Sequence, residues 1–335
     1  MTDAARDLHL PVAAQPTLED VLALGTTAED LGYDRVWMPE TWGRDAVTVL
    51  ATLADRTNTV GLGTSIVPVY SRSAALLGQT AATLQEASDD RFRLGLGPSG
   101  PALVEHWHST AFEEPLRRTR EYVEAIRAVC SGAPVSYDGA TVAMEGFRLR
   151  FDPPPTPPID VAAMGPKAVE LAGRFADGWH ALLFTPDGLR DRLEDLRRGA
   201  SLGDRDPDAV RTMAVVTSCA LPDAATARTL ARQHVAFYVG AMGPFYRNAL
   251  ARQGFEATAD RIQDRWHSGD RDAAVAAVDD ALLDALCAAG TPDTVRDRLA
   301  TVAAIDGVDA VAVSLPRGAD RDAIAATVEA LAPEA

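Results

Sequence analysis

Six histidines, a single lysine (Lys167) and a set of scattered carboxylates carry most of the chemistry open to this chain of 335 residues. His106 and His108 flank Trp107 a few residues after the apolar run Arg91–Leu96. Imidazole titrates near neutral pH, so each histidine is a candidate general acid. On a helix, side chains two apart point in different directions, so at most one of the pair faces a shared reaction centre. Glu40 follows another apolar run, Arg35–Pro39. It can act as an acid or base where desolvation raises its pKa, or stand as a plain carboxylate at a helix start. His180, His9 and His234 rank below these. No group of His, Cys and carboxylate side chains has metal-ligand spacing, so no metal is expected.

The elements that must position these groups follow one pattern, a short apolar strand and then an amphipathic helix. Strands are predicted at Leu8–Val12, Arg35–Pro39, Val60–Val67, Arg91–Leu96, Ile159–Ala163, Gly178–Leu183, Thr212–Ala220 and Val308–Leu315. They are apolar on both parities, as parallel strands buried on both faces are. Helices are predicted at Thr17–Leu31, Asp45–Arg56, Ala74–Ala87, Pro115–Val129, Lys167–Phe175, Gly188–Gly199 and Thr291–Ala304. Asp or Thr precedes several, and Pro292 sits in the first turn of the last. Eight such units predict an α/β fold of the (β/α)8 barrel type, one domain over residues 1–335, with an open doubly wound sheet as the alternative. Two segments exceed the repeating unit, 131–158, with a hairpin expected around Asp138-Gly139, and the helical stretch 226–286. Insertions of this kind sit over the C-terminal ends of the strands, where catalytic groups concentrate.

The formal charge is −16, and the surplus is carried by 33 Asp, with only 15 Glu. That balance disfavours nucleic acid and anionic membranes, both of which are bound by clustered Lys and Arg. No apolar run reaches the ~18 residues of a membrane span, and Met1 to Leu10 lacks the apolar stretch of a signal peptide. Cys130, Cys219 and Cys287 are sparse and odd in number, as in a reducing compartment, so a cytoplasmic protein is expected. Asp-rich, Lys-poor surfaces suit a high-salt interior. Coding bias explains Arg in place of Lys but not the excess of Asp over Glu.

Gly95-Leu96-Gly97-Pro98-Ser99-Gly100 matches the GxGxxG spacing of dinucleotide-binding turns. Pro98 occupies the turn, and the acids about 20 residues on, Glu113 and Glu114, introduce a helix where the fingerprint needs the end of a second strand. The better reading is a Gly-rich loop in which small residues allow close approach of a flat ring.

Three stretches resemble the luciferase-like monooxygenase superfamily, in its branch of oxidoreductases that depend on the deazaflavin coenzyme F420. The first is Gly61-Leu62-Gly63-Thr64-Ser65-Ile66, continued by Ala81-Ala82-Thr83-Leu84 and Arg91-Phe92-Arg93-Leu94-Gly95-Leu96-Gly97. The second is Ser99-Gly100-Pro101 with Val104-Glu105-His106-Trp107-His108 and Arg118-Thr119-Arg120-Glu121-Tyr122. The third is Ala162-Ala163-Met164-Gly165-Pro166-Lys167 with Ala176-Asp177-Gly178-Trp179. Gln253-Gly254-Phe255 and Gly290-Thr291-Pro292 extend the similarity over nearly the whole chain.

The resemblance implies a non-prolyl cis peptide at Ser65–Ile66 backing the cofactor ring, with Thr64, Pro98 and Ser99 beside it. It places the cofactor phosphate at Met164, Gly165, Pro166 and Lys167, where free amides at a helix start bind anions. Many relatives carry Asp-His where this chain has Glu40-Thr41, so the histidine proposed for proton transfer is absent here, while Glu40 can hydrogen-bond the cofactor's polar edge or act as acid or base. Trp42, Tyr70, Trp107 and Phe245 are candidate substrate walls, with Arg72 and Tyr246 nearby in sequence. The function implied is hydride transfer between deazaflavin C5 and a small organic substrate, by a homodimer. The alternatives are an FMN-dependent monooxygenase fed by a partner reductase, and a barrel that binds a cofactor without catalysis.

Overall fold

The computed structural model describes residues 4–11 and 15–333. Eight parallel strands alternate with helices: β1 (Ala5–His9), β2 (Arg35–Met38), β3 (Gly61–Thr64), β4 (Phe92–Gly97), β5 (Ile159–Ala162), β6 (Gly178–Leu182), β7 (Arg211–Ala220) and β8 (Ala310–Ser314). This is the (β/α)8 order expected from the strand pattern. The main helices are α1 (Leu18–Asp30), α2 (Ala46–Arg56), α3 (Ala74–Ala87), α4 (Pro115–Cys130), α5 (Pro166–Phe175) and α6 (Pro186–Leu202). Caps account for several starts. The Thr17 side chain accepts the Asp20 amide in a reciprocal capping box at α1, Asp45 caps α2 and Ser73 caps α3.

The chain forms two compact units. The first comprises residues 34–180 and 195–211. Within it β2 pairs with β3, β3 with β4, β4 with β5 and β5 with β6, all parallel. Trp37, Phe92, Leu94, Ile159 and Trp179 are fully buried among these strands and their helices. The predicted hairpin is present as Ser136–Asp138 paired with Ala143–Glu145. It is pinned by the buried Glu121 of α4, whose carboxylate accepts the amides of Ala140, Thr141 and Val142 across the turn.

The second unit comprises residues 1–33, 181–194 and 212–335. There β8 pairs in parallel with both β1 and β7. The long insertion is helical, as expected, beginning with α7 (Ala224–Ala241), and it carries its own apolar cluster around Val235, Val239, Leu250 and Ile262. Gln253 ties the insertion to the segment after β6, accepting the Thr185 amide at 2.8 Å and donating to the Leu183 carbonyl at 3.0 Å.

Three boundaries differ from expectation. β1 begins at Ala5 because its register with Ala310–Ser314 draws Arg6 and Asp7 into the sheet, and Asp7 is fully buried. Its predicted end, Val12, lies outside the described residues. The run Val60–Val67 is broken at Ser65 and resumes as Val67–Pro68, which pairs with Leu96 and Gly97. A short strand, Cys287–Gly290, pairs with the end of β7 and had no β-branched signal to mark it.

Candidate active site

The C-terminal ends of β2 to β5 in the first unit carry most of the predicted residues. After β3, the Ser65–Ile66 peptide is cis. This segment is held by β2 and its loop: the Ser65 amide donates to the Met38 carbonyl at 3.0 Å and the Glu40 amide to the Ile66 carbonyl at 3.2 Å. Thr64 is buried, and its hydroxyl exchanges two 2.8 Å hydrogen bonds with the backbone of Gly95. Its side chain therefore locks β3 to β4, leaving only its backbone for a ligand. A Cβ on Gly95 would lie 2.0 Å from the Thr64 carbonyl oxygen, so this position requires glycine. A Cβ on Gly97 would meet Ile66 at 3.2 Å, which keeps the floor beside the cis segment low.

Beneath Ser65 runs a chain of polar groups in which His180 ranked low among the sequence-based candidates and Asp160 and Arg93 were not among them. Ser65 Oγ lies 3.0 Å from His180 Nδ1, and His180 Nε2 lies 3.2 Å from Asp160 Oδ2. Asp160 is held bidentately by Arg93, through Nε at 3.0 Å and Nη2 at 2.6 Å. Asp160 is 1% and His180 2% exposed, so the middle of the chain lies in the interior, with Arg93 and Ser65 half-buried at its two ends. Burial acts to raise the Asp160 pKa, but the Arg93 charge and the hydrogen bonds from His180 and Arg93 outweigh it and hold the carboxyl below its usual range. Burial lowers the His180 pKa, against the opposing hydrogen bond and charge of Asp160. The ring is thus neutral at pH 7. With Asp160 ionised, the proton sits on Nε2 and Nδ1 accepts from Ser65. The available sequence signal was a lone charge inside each of two apolar strands, Arg93 in Phe92-Arg93-Leu94 and Asp160 in Ile159-Asp160-Val161, which predicts a buried pair.

Around the rim, the candidates divide. Glu40 is buried and both of its oxygens are engaged. Arg72 donates to each, Nη2 to Oε2 at 2.9 Å and Nη1 to Oε1, and the Ala46 amide at the start of α2 donates to Oε2 at 3.2 Å. Arg72 also pairs with Asp45. This corrects the reading of Glu40 as the proton-transferring acid: a carboxylate whose oxygens are held by a guanidinium and a helix-start amide is an acceptor in use, tying β2 to α2 and to the loop after β3. Tyr70 is also redirected. Its hydroxyl donates to the Glu113 carbonyl at 2.6 Å, and its ring lies between Phe112 and the Arg118 guanidinium, so it supports the loop after β4 instead of walling a substrate.

That loop holds a π-helical turn, Leu103–Trp107. Ser99 enters it in the left-handed backbone region at φ 60°, a conformation that clusters at functional sites. His106 is exposed and Trp107 is 63% exposed, whereas His108 is turned inward with its Nε2 buried and without a hydrogen-bond partner in the protein. The two rings thus point in different directions. Thr41 Oγ1, next to Glu40, is likewise buried without a partner, and Trp42 beside it is 43% exposed.

At the start of α5, Gly165 is the N-cap, no side chain caps the helix, and a Cβ on Gly165 would meet nothing within 4 Å. Lys167 is 77% exposed and pairs with Glu170 at 3.1 Å, as does Arg198 at 3.0 Å. Met164, Gly165 and Pro166 are half-buried. Two polar atoms without partners, an uncapped helix start with open space, and a low glycine floor fit a flat, anionic cofactor.

The other candidates lie in the second unit. Phe245 is 38% exposed at the start of a helix of the insertion. His234 is buried, stacks on Tyr238 and accepts the Arg317 amide at 3.1 Å. Burial and the Arg317 charge push its pKa down to about 4, the state of a structural histidine. Among the described residues no group of three or more His, Cys, Asp or Glu side chains could hold a metal ion, and no helix is long and apolar enough to cross a membrane.

Residues 3–309 match the luciferase-like monooxygenase family. A Mycobacterium tuberculosis protein provisionally described as a coenzyme F420-dependent oxidoreductase is 33% identical over 313 residues, 86% of this chain and 88% of the relative. The 5,10-methylenetetrahydromethanopterin reductase of Archaeoglobus fulgidus is 31% identical over 297 residues, 88% of this chain and 89% of that enzyme. The structure of the coenzyme F420-dependent tetrahydromethanopterin reductase of Methanopyrus kandleri superposes with a TM-score of 0.82 at 24% identity, covering 99% and 98% of the two chains. That likeness establishes the (β/α)8 fold.

Proposed function

The chain belongs to the luciferase-like monooxygenase family, and from that premise we propose that it is an F420-dependent oxidoreductase acting on a small organic substrate. The observation that carries the reading is the pair of buried atoms without protein partners, Thr41 Oγ1 and His108 Nε2, on loops that follow β2 and β4. Buried polar atoms are satisfied by something, and on these loops a bound cofactor or substrate is the natural partner. The choice of F420 over FMN is supported by the relatives that share about a third of their residues with nearly the whole chain.

When bound, the deazaflavin would give or receive the hydride at C5. The chain's residues do the rest. The Ser65–Ile66 segment and Gly97 form the backing for the ring. The amides that open α5, with Gly165 and Lys167, receive the phosphate. Glu40 positions Arg72 at the ring's polar edge. His108 would give the substrate a proton when C5 delivers the hydride and take one in the reverse direction, while Trp42 and Trp107 would shield the reacting face from water. The experiment that tests the reading is a titration of the purified protein with F420 and, separately, with FMN, followed by fluorescence. Saturable F420 binding in the micromolar range or tighter is expected. Tight FMN binding with none for F420 would instead assign the chain to the flavin monooxygenases.

A further inference from the structure

The chain of groups beneath Ser65 exceeds what a strand interior needs for stability. A buried Arg93–Asp160 pair would be complete in itself, yet Asp160 also engages His180, and His180 reaches out of the strand layer to the half-buried Ser65 hydroxyl. Every link is within 3.2 Å. The links are directional. Arg93 only donates, Asp160 only accepts, and so His180 Nε2 must donate and Nδ1 must accept. The last member, Ser65, therefore gives its one proton inward and is left with lone pairs alone to offer.

We propose that His180 is a positioning residue that, anchored by Asp160 and Arg93, accepts the hydrogen bond of the Ser65 hydroxyl and so fixes Ser65 as a hydrogen-bond acceptor selecting a ring N–H of the bound cofactor. The inference rests on the cofactor reading above. It adds a determinant of cofactor recognition that lies one residue away from any ligand contact. The groups facing His180 are Asp160 of β5, Arg93 of β4, Arg211 at the start of β7, the Ser65 hydroxyl and the edge of Trp37 at 4.6 Å. Protonation of Nδ1 reverses the outer link. The imidazolium then donates to Ser65 Oγ, and the hydroxyl proton turns outward as a donor. Acid thus converts the site from acceptor to donor.

Two substitutions separate the links. Asn at position 180 places an amide oxygen where Nδ1 stands, keeping an acceptor for Ser65 that cannot titrate. Gln reaches the Nε2 position and keeps a partner for Asp160 while removing the acceptor. F420 dissociation constants should be measured from pH 5 to 8 for wild type, Ser65→Ala, His180→Asn and His180→Gln, with circular dichroism checking the fold of each. Ser65→Ala and His180→Gln are expected to weaken binding about fivefold, the worth of one ordinary hydrogen bond. His180→Asn should bind within about twofold of wild type at pH 7 and lose the weakening that wild type shows in acid. A cofactor-free readout accompanies these: in protein labelled with 15N-histidine, the His180 signal should show the Nε2–H tautomer, with an Nδ1 resonance that moves in Ser65→Ala. An Nδ1–H tautomer, an Nδ1 resonance indifferent to Ser65→Ala, or folded variants that bind F420 with the wild-type pH profile would overturn the inference. Absence of F420 binding by wild type, with the tautomer and the Ser65 link present, would overturn the cofactor reading and leave the positioning of Ser65 standing.

Discussion

The floor and the rim of the candidate site are built on opposite terms. In the floor, both Asp160 oxygens, both His180 nitrogens and the Ser65 hydroxyl have protein partners, and Thr64 is locked to Gly95 by two bonds. In the rim, Thr41 Oγ1 and His108 Nε2 are as buried as the floor atoms yet meet no protein partner. A satisfied buried network specifies conformation, whereas an unsatisfied buried atom is costly unless a ligand completes it. The floor is therefore the part that holds geometry, and on the function proposed the rim is the part that would bind and react. Glu40 shows that position alone does not decide: it lies on the rim loop but is fully engaged by Arg72 and the Ala46 amide, and it belongs with the floor in kind.

The sharpest way to break this comparison is to unpair the floor. Asp160→Ala leaves the Arg93 guanidinium without its buried carboxylate and is expected to cost about 3–5 kcal/mol in urea denaturation; a loss below about 1 kcal/mol would make the floor no stiffer than a surface pair. Because the Asp160 carboxyl is held below its ordinary pKa, its stabilisation is fully present above about pH 5 and is lost only as acid approaches the folded-state value. In the rim, His108→Ala should lower turnover about 100-fold, against less than about twofold for the exposed His106→Ala; equal effects would remove the distinction drawn between them. Gly95→Ala forces a Cβ to 2.0 Å from the Thr64 carbonyl oxygen and should cost about 1–3 kcal/mol by thermal denaturation. Lys167→Ala should change stability by less than about 0.5 kcal/mol, since the pair with Glu170 is exposed. A fall in F420 affinity above about tenfold would show that the side chain, and not the helix start, dominates phosphate binding.

Much of this was legible in the sequence, for reasons that differ by residue. All eight strands were marked by two-sided apolar runs, and α1, α2 and the helix Pro292–Ala303 by their Thr, Asp and Thr-Pro starts. Glu40, His106 and His108 stood out as titratable groups just past strand ends. What the sequence could not supply was partnership. The Arg93, Asp160 and His180 side chains are far apart in the chain and meet only through the parallel register of β4, β5 and β6. Glu40 looked available because Arg72 lies 32 residues away. Tyr70 looked like a wall because nothing local announces that the Glu113 carbonyl accepts its hydroxyl. The acid excess described the surface and said nothing of this interior.

The central claim is that the cofactor lies on the satisfied floor and completes the unsatisfied rim. A crystal structure with F420 bound tests it most directly. The account predicts the ring against the Ser65–Ile66 segment, the phosphate at the amides opening α5, and a ligand atom within hydrogen-bond distance of Thr41 Oγ1 or His108 Nε2. A cofactor bound elsewhere, or bound there with both atoms still lacking a ligand partner, would contradict it.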